Sequence, residues 1–238
     1  MKKMFQVAAI LALGIHVNAQ GTFQNLDFEA GNVGSILVSS GIPISEALPY
    51  WTVMINGSAQ TSVRYNEIDM TLPSVSLISA NNDDGWRPID GEYDVELNAT
   101  AGNYFGFQGN ASISQTGVIP AGTQYLLFDA TQSPTESSGT LTVSIASQVV
   151  TMMPVSTVPT PWVTYTVYEA NISAWAGQTA QLTFTALEPP PTGLGWNAWF
   201  IDDISFSPTA VPEPTSLALL GVGGLIIAGY RRMVAVKI

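Results

Sequence analysis

The sequence predicts an all-β protein, a jelly-roll β-sandwich, on three observations. Residues 93–97 alternate apolar and acidic side chains, which is the two-residue period of a strand with one face toward a core. Several short apolar runs are separated by turn signals that contain Gly and Pro. No stretch between the two ends of the chain has a sustained helical period. Many short strands joined by tight turns are typical of two packed sheets.

The predicted elements occupy one domain over residues 20–208, which is long enough to bury a core although the chain has no cysteine. The expected strands are residues 93–97, 104–107, 125–128, 141–145, 163–167 and 182–184. The turn signals are Asn56-Gly57, Asp84-Gly85, Asp90-Gly91, Pro120-Ala121-Gly122, Ala176-Gly177 and residues 189–193. Residues 151–161 contain three prolines, and we expect them to form a long loop.

Charge and missing residue types exclude several classes of function. Residues 21–208 contain two arginines and 17 of the 18 acidic residues, so this segment repels phosphate backbones and no nucleic acid partner is expected. The segment also has no His, Cys or Lys, which excludes Ser-His and Cys-His nucleophiles, Schiff-base lysines and thiolate or imidazole zinc sites. We therefore expect that the protein is not an enzyme. A glycoside hydrolase is the remaining catalytic alternative, because that chemistry needs only two carboxyl groups.

Residues 1–19 have the organisation of a secretory signal peptide. Lys2 and Lys3 precede a short apolar run over residues 4–15, and residues 17–19 (Val-Asn-Ala) form a cleavage site of the small-residue type. Cleavage is expected after Ala19, and a retained membrane anchor is the alternative.

The C-terminal segment, residues 209–238, has three parts. A Pro-Glu-Pro triplet is followed by an uncharged, Gly-rich run over residues 216–230 and then by two arginines. The run would form a membrane helix of about 15 residues, about 22 Å long, slightly shorter than a full span. The arginines place the C-terminal tip in the cytoplasm before any processing, so the middle of the chain is expected outside.

This order of parts resembles the PEP-CTERM sorting signal of Gram-negative bacteria. The residues that carry the resemblance are Pro212, Glu213, Pro214, Arg231 and Arg232. The resemblance implies recognition by a membrane sorting protease, an exosortase, with cleavage near the triplet. It also implies export to the cell envelope or cell surface, among exopolysaccharide or biofilm material. A simple tail anchor without processing is the alternative.

The middle segment resembles the galactose-binding-like jelly rolls, which include carbohydrate-binding modules. The matching pieces, in order, are residues 25–29, 48–51, 91–97, 112–125 and 200–204. The resemblance spans nearly all of residues 21–208 and implies a non-catalytic module that binds or is embedded in extracellular polysaccharide. A structural or adhesive matrix protein without a defined glycan ligand is the alternative.

Asp202 is the first candidate metal ligand. Alternation along the closing strand places Asp202 on the face of Phe200, Ile204 and Phe206, and a carboxylate facing a core needs a cation or several hydrogen-bond donors. Because arginines are few, Ca²⁺ is a candidate cofactor. In the jelly rolls that this segment resembles, a structural Ca²⁺ is held by residues at the positions of Glu29 and Asp202. The alternative is that Asp202 caps a turn or accepts backbone N–H bonds.

The polar loop over residues 81–87 is a candidate sugar-binding site. Trp86 offers an aromatic plane, Arg87 hydrogen-bond donors and Asp84 acceptors. Trp196 lies in a Gly-rich stretch and is expected to be a second exposed ring. The tryptophans expected to pack in the core are Trp51, Trp162 and Trp175. The alternative is a solvated acidic loop with Trp86 packed onto the edge of the sandwich.

Overall fold

A computed structural model describes residues 21–34, 41–69, 71–82, 85–101, 107–133, 139–189 and 195–211. The predicted signal peptide, the tail from Pro212 onward, Asp84, and all but Phe107 of the predicted strand 104–107 lie outside these residues. Within the described ranges, no helix is long and apolar enough to cross a membrane.

The described residues form fifteen strands, one short α-helix and one 3-10 helix. The strands are β1 (Ile42–Pro43), β2 (Thr52–Ile55), β3 (Ser58–Ala59), β4 (Ser62–Tyr65), β5 (Ser74–Ser79), β6 (Tyr93–Ala101), β7 (Gln108–Gly109), β8 (Ala111–Val118), β9 (Tyr125–Gln132), β10 (Leu141–Ile145), β11 (Gln148–Val150), β12 (Met152–Pro159), β13 (Thr164–Asn171), β14 (Thr179–Ala186) and β15 (Trp196–Ser207). The helix α1 covers Ile44–Ala47, and the 3-10 helix covers Ser173–Trp175.

The strands form two sheets. The large sheet has the order β1-β4-β5-β6-β15-β9-β13-β12, with β7 paired to β6, and the small sheet has the order β11-β10-β14-β8-β2-β3. The pairs within them are antiparallel except for β4 with β5. From β8 onward the chain crosses repeatedly between the sheets, so neighbours in each sheet are distant in sequence. The predicted all-β jelly-roll sandwich is confirmed.

The core lies between the two sheets and is built by alternation along each strand. In β6, Val95, Leu97 and Ala99 face the core, and in β14 the core residues include Leu182 and Phe184. Phe128 of β9 packs against Phe184 with ring centroids 5.1 Å apart in an edge-to-face arrangement. The two sheets therefore interdigitate through aromatic rings at the centre of the sandwich.

A β-bulge in β15 corrects the predicted face of Asp202. The pairing with β9 shifts register between Asp202 and Ser205, and Asp203 has a positive φ of 48°. The extra residue reverses the alternation, so Ile204 and Phe206 belong to the main core while Phe200 belongs to a separate small cluster on the other side of the sheet. The prediction that Asp202 shares a face with Ile204 and Phe206 is therefore wrong.

The prediction of a long loop over residues 151–161 is also wrong, because β12 covers most of it. β12 is the edge strand of the large sheet, and its pairing with β13 shifts register between Pro154 and Ser156. Prolines are tolerated at an edge or a bulge because the missing N–H has no neighbouring strand to meet.

Candidate functional site

The outer face of the large sheet, the face turned away from the core, carries a buried row of polar side chains on β6. Asp94, Glu96 and Asn98 alternate with the core residues and are each 0% exposed. Ile89, from the loop before β6, donates its N–H to Asp94 Oδ2 at 3.2 Å, and the Asn98 amide donates to the carbonyl oxygens of Asp69 and Leu72. Two loops therefore cover a strand face that the alternation of acidic residues had assigned to solvent.

Oxygen atoms of this row have no hydrogen-bond partner among the described residues. The buried oxygens without a partner include both carboxyl oxygens of Glu96, Oδ1 of Asp94 and Oδ1 of Asn98. Ser74 Oγ, on the adjacent strand β5, is in the same state, and Ser74 pairs with Asn98 across the two strands. We call the side chains of Ser74, Asp94, Glu96 and Asn98 the oxygen cluster. Buried polar groups are otherwise almost always paired in folded proteins.

The charges around the oxygen cluster are predominantly negative. Burial raises the pKa of Asp94 and of Glu96 well above their usual values, and Asp94 raises the pKa of Glu96 further. Arg64 opposes this effect on Glu96, but its guanidinium is also bound to the carboxylates of Glu67 and, at 2.6 Å, Asp69. One guanidinium thus faces three carboxyl groups, those of Glu67, Asp69 and Glu96.

The predicted metal ligands Glu29 and Asp202 hold the same turn, residues 90–93. Glu29 Oε1 accepts the N–H groups of Glu92 at 2.8 Å and Tyr93 at 3.0 Å. Asp202 Oδ2 accepts the N–H of Asp90 at 3.1 Å, and Oδ1 accepts the N–H of Asp203 at 2.8 Å. Burial, followed by the charges of Asp94 and Asp203, raises the pKa of Asp202 to about 10.

These contacts match the alternative in which backbone N–H groups satisfy Asp202. Among the described residues, no group of three or more His, Cys, Asp or Glu side chains could hold a metal ion. The backbone N–H groups that donate to Glu29 and Asp202 are therefore the contacts expected of carboxyl groups that hold a turn in place. Calcium at Glu29 and Asp202 stays a prediction.

The predicted sugar-binding residues Trp86 and Arg87 both lie at the outer face. Trp86 is half-buried and stacks on Phe200, with ring centroids 5.3 Å apart and an interplanar angle of 14°. The Arg87 guanidinium donates to the carbonyl oxygen of Ala80 and lies 5.2 Å from the ring centroid of Trp162. Arg87 therefore stacks on an aromatic ring, and no carboxylate in the part of the chain that the structure describes forms a salt bridge with it.

Two tryptophans lie where the sequence did not place them. Trp196 is the first residue of β15 and only 6% exposed, so its prediction as an exposed loop residue is wrong. Trp162, expected in the core, is 72% exposed in the turn between β12 and β13. Thr160 fixes that turn, because its Oγ1 accepts the Val163 N–H at 3.1 Å and its own N–H donates to Val163 O at 2.9 Å. The flanking prolines of the Pro159-Thr160-Pro161-Trp162 sequence were the available signal for an exposed turn.

Aromatic rings and Arg87 form a band on the outer face, made of the Arg87–Trp162 pair and of Trp86 and Tyr165 packed with Phe200. The members of this aromatic band are Trp86, Arg87, Trp162, Tyr165 and Phe200. Tyr165 is hydrogen-bonded to the carboxyl group of Asp129, whose pKa is raised to about 7 by burial and then by the charge of Asp203. The band therefore combines apolar ring faces with hydroxyl, carboxyl and guanidinium groups.

The raised pKa of Asp129 predicts a pH-dependent stability. The native state holds this proton up to about pH 7, whereas the unfolded chain releases it near pH 4, so the contribution of Asp129 to stability falls as pH rises between these values. We expect Asp129→Asn to melt close to the wild type at pH 4 and above it at pH 8, measured by thermal melts in EDTA. Glu188→Gln, an exposed position, removes the same charge as a control. A constant difference between Asp129→Asn and wild type across this range would contradict the assignment.

Solved structures similar to this one include carbohydrate-binding modules. The module TmCBM61, solved with β-1,4-galactotriose, has a TM-score of 0.38 and 14% identity, over 79% of this chain and 98% of its own. The module CBM28, described as specific for non-crystalline cellulose, has a TM-score of 0.38 and 8% identity, over 75% of this chain and 97% of its own. The enzymatically active domain of tailspike protein 4 of bacteriophage CBA120 has a TM-score of 0.39 and 12% identity, over 79% of this chain and 21% of its own. No curated protein matches the sequence.

The C-terminus matches a family model described as the PEP-CTERM protein-sorting motif, over residues 210–232. The match includes the Pro-Glu-Pro triplet, the Gly-rich run and the paired arginines. Such a motif implies export and sorting to the cell envelope. The chain therefore carries a PEP-CTERM sorting motif at residues 210–232, C-terminal to a β-sandwich.

Proposed function

We propose that the sandwich is a non-catalytic module that binds extracellular polysaccharide at the aromatic band. The observation that carries this proposal is Trp162, a large ring that is 72% exposed on a fixed turn with the Arg87 guanidinium against its ring. An exposed indole leaves apolar surface in contact with water. A ligand with an apolar face would bury that surface, which is favourable. A pyranose has such a face, formed by its C–H groups.

The geometry supports a ring platform with polar neighbours. The guanidinium orients Trp162 without burying it, which leaves ring surface for a sugar. Trp86, half-buried on Phe200, and the Tyr165 hydroxyl extend the band toward Asp129 and the exposed Asp203. Hydroxyl groups at the rim of a sugar need both donors and acceptors, and these side chains supply both.

Envelope sorting supports a polysaccharide as the ligand, because a protein held at the cell surface is surrounded by extracellular polysaccharide. We propose that an exosortase-type protease recognises the tail and cleaves near Pro212-Glu213-Pro214, leaving the sandwich among exopolysaccharide. A matrix protein without a defined glycan ligand is the alternative. A glycoside hydrolase is a second alternative, and release of reducing sugars from a bound polysaccharide would identify it.

The test compares ring removal at Trp162 with ring removal elsewhere. The full chain in mild detergent is screened on a polysaccharide array, and affinity for the strongest ligand is measured by isothermal titration. We expect Trp162→Ala to weaken binding at least tenfold, about 1.4 kcal/mol, with a nearly unchanged melting temperature. Trp162→Phe, which keeps a ring, should retain most of the affinity.

Tyr50→Asn is the matched control. Tyr50 is a ring exposed at 60% just before β2 of the small sheet, and its φ of 74° is one that asparagine tolerates. Equal affinity of the wild type and Trp162→Ala would remove the aromatic band as the site. An array without any bound polysaccharide would favour the matrix-protein alternative.

A further inference from the structure

The oxygen cluster on β6 is a second place where the structure leaves chemistry unexplained. Glu96 is wholly buried, and neither of its carboxyl oxygens has a hydrogen-bond partner among the described residues. Oδ1 of Asp94 and Oδ1 of Asn98, two residues away on either side, are in the same condition. Leaving such atoms unpaired costs about 1–3 kcal/mol each, and more for charged groups, so we expect protons, water or an ion to meet them.

We propose that Asp94 and Glu96 bind a Ca²⁺ ion beneath the loops that cover the outer face of the large sheet. All the unpaired atoms of the cluster are oxygens, which are the ligands that hard cations take. Asp94 and Glu96 supply carboxylates, while Asn98 and, opposite it, Ser74 offer neutral oxygens on the side of Glu96 away from Asp94. Ca²⁺ accepts such irregular mixtures, and water completes its coordination, whereas Mg²⁺ demands a near-octahedral set.

Local charge favours a cation here. The guanidinium of Arg64 acts on Glu96 but is also bound to Glu67 and Asp69, so one positive charge is shared among three carboxyl groups, and it has no resolved effect on Asp94. A divalent ion would neutralise the carboxylates of Asp94 and Glu96. The described residues hold no cluster of three or more carboxylates, and the proposed site accordingly uses two carboxylates with neutral oxygens.

The contrast with Asp202 distinguishes this site from the one predicted at Glu29 and Asp202. Each oxygen of Asp202 accepts a backbone N–H, and Oε1 of Glu29 accepts two. Within the described ranges, no backbone N–H donates to Glu96. The need for a cation is therefore greater at Glu96, which lies on β6, than at Asp202 on β15.

The experiment measures Ca²⁺ binding to the full chain after treatment with EDTA, by native mass spectrometry and by thermal melts. We expect one bound Ca²⁺ per chain and a higher melting temperature at a hundredfold excess of Ca²⁺ over its Kd. Glu96→Gln and Asp94→Asn keep the side-chain shape and remove the charge, and each should weaken Ca²⁺ binding at least tenfold. Glu29→Gln should bind Ca²⁺ as the wild type does.

Each other outcome would overturn the proposal. Wild type without bound Ca²⁺ in either measurement would mean that protons or water occupy the cluster. Unchanged binding in Glu96→Gln, together with loss in Glu29→Gln, would place the ion at the Glu29 and Asp202 site. If Glu96→Gln fails to fold by circular dichroism, Asp94→Asn and the wild-type stoichiometry decide. The glycan proposal rests on Trp162 and is tested independently of this result.

Discussion

Replacement of Phe128 by Ala is expected to lower the free energy of unfolding by about 3–5 kcal/mol. Phe128 is fully buried at the centre of the sandwich, where its ring stacks on Tyr168 at 5.4 Å and meets Phe184 of the small sheet at 5.1 Å. Truncation removes the apolar surface and leaves a cavity between the sheets, since strands on both sides limit collapse. Urea unfolding curves at pH 7 measure the change.

Val149→Ala is the control for this measurement. Val149 is a strand residue of β11 that is 72% exposed, and its truncation should change stability by less than about 0.5 kcal/mol. A loss below about 1 kcal/mol for Phe128→Ala would mean that the two sheets do not share the close-packed core described above.

Deletion of residues 212–238 is expected to move the protein from the cell envelope to the medium. The deletion keeps every described residue, including Val211, whose N–H donates to Glu169 at 3.2 Å, so the sandwich is left intact. It removes the apolar run and most of the sorting motif at residues 210–232. Cell fractionation with immunoblotting measures the distribution.

A double substitution separates sorting from simple partition into the membrane. Pro212→Ala combined with Pro214→Ala alters the triplet but keeps the apolar run, so this chain should stay membrane-bound and unprocessed. The sorting account fails if the chain lacking residues 212–238 fractionates like the full-length protein.

Local patterns were sufficient to predict the sandwich. The alternation in residues 93–97 and the runs near 125, 141 and 182 correspond to β6, β9, β10 and β14, because inward-facing positions must be apolar wherever a sheet covers a core. The closing strand was also expected, but the bulge at Asp203 depends on pairing with β9 and cannot be read from β15 alone.

The candidate site was less predictable because the loops that fold over a strand decide which of its side chains are buried. The acidic residues of β6 fit a solvent-facing strand, and the loops that bury Asp94 and Glu96 are brought there by folding. Edge position explains why a strand contains Pro154 and Pro159. The stacking of Trp86 on Phe200 fits the alternative in which Trp86 packs onto the sandwich, and its role in sugar binding stays a prediction. The exposure of Trp162 was missed because a single exposed ring leaves no periodic signal.

Hydroxyl-radical footprinting of the full chain, with and without bound polysaccharide, tests most directly whether the aromatic band is the binding surface. Radicals oxidise exposed aromatic side chains, and mass spectrometry reports the protection of each. If polysaccharide binds at the aromatic band, it should protect Trp162, Trp86 and Tyr165 and leave Tyr50, on the small-sheet side, unprotected. Protection at Tyr50 with Trp162 still fully oxidised would place the binding surface elsewhere.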